Sequence, residues 1–112
     1  AYEISLGLVG AEMCIRDSIS LSKLDDLIEI NEQSKTVEVE GGVNYGHLCP
    51  LLHKSGYALH NLASLPHISV AGASATGTHG SGINNGNLPS ALSSIEFIDA
   101  DGSLISLDST KD

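Results

Sequence analysis

The residues best suited to chemistry lie in one run, His60-Asn-Leu-Ala-Ser-Leu-Pro-His-Ile-Ser-Val-Ala-Gly-Ala-Ser-Ala-Thr-Gly-Thr-His-Gly-Ser-Gly82. Most of its side chains are small, hydroxylic or imidazole, and none carries a formal charge. Small residues let a backbone approach a flat ligand or a second backbone closely. Ser69 is placed to cap a short helical turn over Val70–Thr76, which would offer N–H groups to a phosphate without Lys or Arg. Gly77, Gly80 and Gly82 alternate with Thr78, His79 and Ser81, as expected of a loop pressed against a ligand with donors around it. A diphosphate bound this way needs no basic side chain. The run is neither a P-loop nor a dinucleotide fingerprint, because no Gly stands three residues beyond Gly80-Ser-Gly82. On composition alone a glycine-rich surface loop is the better explanation of it.

The elements around this run must position it. Leu27-Ile-Glu-Ile-Asn31 and Thr36-Val-Glu-Val-Glu40 follow the strand period and flank a turn at 32–35, which predicts a hairpin with Val37 and Val39 inward. An earlier short strand is expected at Ile19–Ser22. Gly41-Gly42 ends the hairpin, and Asn44 is the expected N-cap of a helix over Tyr45–Ser55. Leu48, Leu51 and Leu52 share one face of that helix, with Gly56 as its stop. Pro50 inside it predicts a kink or a break into two turns. Ile95–Asp99, a turn at Ala100-Asp-Gly102 and Leu104–Leu107 read as a second hairpin. The glycine-rich middle and Pro89–Ser94 carry no firm assignment. The class is α+β, without internal repeats.

Charge is distributed unevenly along the 112 residues. Fourteen acids and five bases give a net charge of −9, and residues 41–95 hold Lys54 as their sole formal charge together with all five histidines. The acidic balance excludes a nucleic-acid footprint and an anionic membrane surface as partners. No apolar run is long enough to span a membrane, and no signal-peptide pattern is present. Cys14 and Cys49 support neither a disulfide framework nor a CxxC site, so a reduced, cytoplasmic setting is the default. The histidines lack metal-ligand spacing with carboxylates, so no metal site is expected. His47 and His53, on the predicted helix, read as surface groups.

Two runs, Asn61-Leu-Ala-Ser-Leu-Pro-His-Ile-Ser-Val-Ala-Gly72 and Ala75-Thr-Gly-Thr-His-Gly-Ser-Gly82, carry a specific resemblance. With Glu40-Gly-Gly-Val-Asn-Tyr-Gly-His47 before them and Ile95–Leu107 after, the chain resembles the FAD-binding (PCMH-type) domain of vanillyl-alcohol-oxidase-type flavoproteins. Within these it is most similar to alditol (xylitol) oxidases and sugar-1,4-lactone oxidases. The resemblance implies two α+β subdomains, with a mixed sheet and flanking helices, holding an extended FAD. It implies that Ser64 lies beside the flavin ring and meets the substrate hydroxyl. Ser69, Gly72, Thr76, Gly77, Thr78 and His79 would contact the diphosphate and flavin. The implied reaction is oxidation of a CH–OH group of a polyol or sugar lactone, with hydride passing to the flavin and oxygen as acceptor.

The resemblance covers residues 19–112. Members of the group have an upstream Gly-Ser-Gly-His-Ser-type loop that bonds the flavin covalently, and residues 1–18 match nothing of it. Gly10–Ser18 reads instead as translated adapter sequence, making 1–18 an artefactual segment. A cap domain that orients the polyol is expected downstream of Asp112. The chain is thus expected to be a partial FAD-binding domain with weak FAD binding and no turnover by itself. A non-catalytic nucleotide-binding module and a purely structural α+β domain are the alternatives.

Overall fold

A computed structural model describes the backbone of residues 3–6 and 17–109, and the side chains from Ser20 onward. The order of elements is β1 (Glu3–Leu6), β2 (Asp17–Ser20), β3 (Leu27–Asn31), β4 (Thr36–Val39), α1 (Tyr45–Lys54), α2 (Val70–Ala75), a 3-10 turn (Leu88–Ala91), β5 (Ser94–Ile98) and β6 (Leu104–Asp108). The strands form three separate antiparallel pairs, β1–β2, β3–β4 and β5–β6. The α+β class expected from sequence holds.

The first strand differs from expectation. β2 pairs with β1 from Glu3↔Ser20 to Leu6↔Asp17, so the strand ends at Ser20 rather than Ser22. Ser20 explains the stop: its hydroxyl donates to Ser22 Oγ at 3.0 Å and accepts from Ser22 N–H at 3.4 Å. A side chain bonding two residues ahead turns the chain out of a strand. The rest of the expected artefactual segment, residues 1–2 and 7–16, lies outside the described residues.

The β3–β4 hairpin forms where the alternation places it, closed by Asn31 Oδ1, which accepts from the N–H groups of Gln33 and Ser34. A bulge between Leu27 and Glu29 shifts the register, so that Leu27 opposes Val39 and Ile30 opposes Val37. The extra residue lets Leu27 and Ile30, three apart, both face inward with Val37 and Val39. Ile28 between them is 56% exposed.

The α1 helix starts at the expected cap: Asn44 Oδ1 accepts from His47 N–H at 2.9 Å. It runs unbroken through Pro50 to Lys54, so the expected break into two turns does not occur. Proline removes one intrahelical bond, while Leu48 and Leu52 on the turns to either side are 1% and 3% exposed. Burying each is worth about 1.5–3 kcal/mol, enough to hold the helix across the lost bond. Two short stop signals end the helices. Gly56 and Gly77 take positive φ (81° and 63°), and the bonds Tyr57 N–H to Leu52 O and Thr78 N–H to Ala73 O close the same terminal motif after α1 and α2.

Two small apolar clusters meet on α1. Val43, Leu48 and Leu52 pack against the inward face of β3–β4. Tyr45, Ala73 and Leu88 join α1 to α2 and to the 3-10 turn, and Leu59 and Val70 touch both clusters. The β5–β6 hairpin forms within one residue of the expected strands, with Ile95 opposite Leu107 and Phe97 opposite Ile105 on one face. Gly102 (φ 82°) and the Asp99 carboxylate, which accepts from Asp101 and Ser103 N–H, close its turn.

Candidate functional site

The candidate site is built on a backbone clamp between the start of α1 and the segment 65–70. Leu65 to Ile68 form a turn, with Ile68 N–H donating to Leu65 O at 3.3 Å and Pro66 in the position where proline is favoured. Two bonds fasten the turn to α1, Tyr45 N–H to Ile68 O at 3.1 Å and Gly46 N–H to Pro66 O at 2.8 Å, and beside them Val70 N–H, at the start of α2, donates to Val43 O at 2.9 Å. These satisfy N–H groups that a helix start would otherwise leave without partners. Ser64 stands at the mouth of this turn, and its side chain is exposed.

Ser69 follows and caps α2 as the sequence predicts. Its hydroxyl accepts from Gly72 N–H at 3.1 Å, and its carbonyl accepts from Ala73 N–H at 3.0 Å. Gly72 sits tightly under the cap, because a Cβ there would lie 2.7 Å from Ser69 Oγ. At the other end Thr76 Oγ1 donates to Gly72 O at 3.1 Å and lies 3.1 Å from Thr78 Oγ1. Thr78 is tied to the 3-10 turn by Leu88 N–H, which donates to Thr78 O at 2.8 Å. His79 bonds only locally, Nδ1 lying 3.2 Å from Gly80 O.

Of the residues singled out from sequence, Ser69, Gly72, Thr76, Gly77 and Thr78 are brought together on and just after α2. Ser64 precedes the clamped turn in the chain, and His79 leads away into the glycine loop. Ser64, Gly72, Thr76 and His79 are exposed, and Ser69, Gly77 and Thr78 are half-buried. The tract is therefore a surface rather than interior packing. His47 and His53 are exposed, as expected. No group of three His, Cys, Asp or Glu suited to a metal ion occurs among the described residues.

Of the N–H groups expected to be offered at the start of α2, that of Ala71 has no acceptor among the described residues. Sequence reasoning missed two contributions. The N–H groups of His79 to Gly82 have no acceptor among the described residues either, so they extend the donor set beyond the side chains. The second is Gly46, whose part in the clamp depends on a distant carbonyl that no local pattern reveals. Tyr45, 6% exposed, shows the electrostatics of the α1–α2 contact. Burial, with the nearby Cys49 thiol as the lesser cause, raises its phenol above the ordinary value of 10.0.

Uncharged N–H and hydroxyl donors on an exposed backbone suit an anionic, extended ligand such as a dinucleotide diphosphate. The donor set fits FAD in this respect: nothing acidic lies between Gly41 and Ile95 to repel it. The fold and site thus define an α+β segment with an exposed, uncharged donor surface suited to an anion. The chain belongs to the FAD binding domain family, which matches residues 7–108. It is 49% identical over 88 residues to an alditol oxidase from Streptomyces sp., covering 76% of this chain and 21% of that protein. It is 33% identical over 105 residues to D-arabinono-1,4-lactone oxidase of Kluyveromyces lactis, covering 88% of the chain and 20% of the relative. To L-gulonolactone oxidase of Mus musculus it is 32% identical over 87 residues, 78% of the chain and 20% of the relative. The chain spans about a fifth of the length of these curated relatives. Among the described residues no helix is long and apolar enough to cross a membrane.

Proposed function

We propose that this chain is the FAD-holding part of an oxidase that converts a CH–OH group of an alditol, xylitol or sorbitol in kind, to the carbonyl with oxygen as final acceptor. The observation that carries the reading is the exposed donor tract on α2 and the loop after it, free of opposing charge. In this reading Ser69, Gly72, Thr76, Gly77, Thr78 and His79 hold the diphosphate and the near edge of the flavin. Main-chain N–H groups of Ala71 and of the loop after Thr78 supply the remaining donors. The Ala71 group, at the capped start of α2, is preorganised and loses little freedom when an anion arrives. Bound FAD supplies the hydride-accepting ring.

Ser64 has a separate task. Its exposed hydroxyl, at the mouth of a turn fixed to α1 by two backbone bonds, is suited to hold a substrate hydroxyl in one orientation. Orientation of this kind is worth several kcal/mol of barrier because reacting groups no longer search for each other. The alditol is preferred as substrate because the identity to an alditol oxidase, 49%, exceeds the 32–33% to lactone oxidases. Aldono-1,4-lactones are the second reading, and the lactone oxidase relatives support it.

The test uses the full-length protein that contains this segment. Xylitol or sorbitol should bleach its flavin band without oxygen and yield hydrogen peroxide with it, and Ser64→Ala should slow both. A protein whose flavin is reduced by neither polyols nor aldonolactones would end the enzymatic reading.

A further inference from the structure

We propose that Gly46 is a positioning residue for Ser64, an inference that rests on the oxidase reading above. The argument begins with a close contact. A Cβ built on Gly46 would lie 2.9 Å from Pro66 Cβ, 3.0 Å from Pro66 O and 3.4 Å from Pro66 C. The same residue donates its N–H to Pro66 O at 2.8 Å. Two of these neighbours are backbone atoms, so a side chain at position 46 cannot be accommodated by rotating a flexible group. One of the two segments has to move.

Which one moves follows from how each is anchored. α1 is fixed by Leu48 and Leu52, both nearly fully buried against β3–β4. Leu65, Pro66 and His67 are exposed and are held mainly by the clamp itself. The downstream end of the segment is tied by Val70 N–H to Val43 O and by the pairing of Asn44 with Ser69. The displacement therefore runs upstream, through the turn closed by Ile68 N–H and Leu65 O, to Ser64 two residues before Pro66. The bare Cα of Gly46 sets how near the Ser64 turn lies to α1, while Ser69 and α2 stay in place.

The experiment measures anaerobic flavin reduction in the full-length enzyme for native protein, Gly46→Ala, Pro66→Gly, Ser64→Ala and the Gly46→Ala/Ser64→Ala double variant. A displacement of the order of 1 Å at a positioning group costs up to about a hundredfold in rate. Gly46→Ala is expected to keep its flavin content and lose tenfold or more in the maximal reduction rate. The double variant should be no slower than the slower single variant, because the two changes remove the same contribution. Pro66→Gly removes the ring that rests on Gly46 but keeps the carbonyl; it should slow reduction in the same way and decides the matter should Gly46→Ala fail to fold. If Ser64→Ala slows reduction while Gly46→Ala and Pro66→Gly stay within twofold of native, the positioning role is overturned. Fully multiplicative losses in the double variant overturn it equally. A Ser64→Ala enzyme that reduces its flavin at the native rate instead overturns the oxidase reading beneath it.

Discussion

Replacing Ser69 separates the two tasks assigned to it, capping α2 and facing an anion. α2 has six residues, too few to persist without external support. Ser69→Ala removes the acceptor of Gly72 N–H and should cost about 1 kcal/mol of stability. Ser69→Asp keeps an acceptor of equal rank at the cap, so stability should stay within about 0.5 kcal/mol of native or rise through the helix dipole. Its carboxylate, however, would face a bound phosphate; the magnitude takes a charge separation on the order of 5 Å. Repulsion there is about 3 kcal/mol at an effective dielectric of 20 and about 0.8 kcal/mol in bulk water. Ser69 is half-buried, so the value falls between these limits, a loss of roughly tenfold or more in FAD affinity. The assay is FAD uptake by the flavin-free full-length protein, followed by flavin fluorescence at about 0.15 M salt, where screening acts over about 8 Å. The reasoning fails if Ser69→Asp takes up FAD as tightly as native while Ser69→Ala does not. An anion would then not be bound beside this cap.

Three further outcomes follow from the packing. Leu48→Ala, at a site 1% exposed between α1 and β3–β4, should cost about 2–5 kcal/mol in denaturant unfolding. Gly77→Val places a β-branched residue at φ 63°, and although open space surrounds the site, backbone strain of about 1–3 kcal/mol should lower the melting temperature. The Tyr45 phenol, raised by burial, stays protonated in the folded chain at a pH where the unfolded chain already ionises. Its stability contribution is full below pH 10 and is lost as pH rises through the folded value. The alkaline fall in stability should therefore be shallower in Tyr45→Phe, checked by melts from pH 8 to 11.

Elements fixed by nearest neighbours were legible in the sequence. Asn44 and Ser69 cap the helices they were expected to cap, and Gly56 and Gly102 turn the chain where placed, because each acts on groups within four residues. Features that depend on distant partners were not legible. The bulge that turns both Leu27 and Ile30 inward is set by pairing with β4. The continuity of α1 through Pro50 is set by the burial of Leu48 and Leu52. The 3-10 turn at Leu88–Ala91 carried a local sign, since Asn87 Oδ1 accepts from Ser90 N–H and Pro89 follows near the start. The candidate site divides the same way: its side chains stand out in the sequence, whereas the clamp through Tyr45, Gly46 and Val70 is tertiary.

Amide hydrogen exchange across residues 69–82, compared between flavin-bound and flavin-free full-length protein, probes the gripping of the cofactor by neutral backbone donors. Slower exchange at Ala71 and at His79–Gly82 in the flavin-bound form, amides without an acceptor among the described residues, is the predicted result. Unchanged exchange throughout this stretch, with protection confined to other segments, would contradict it.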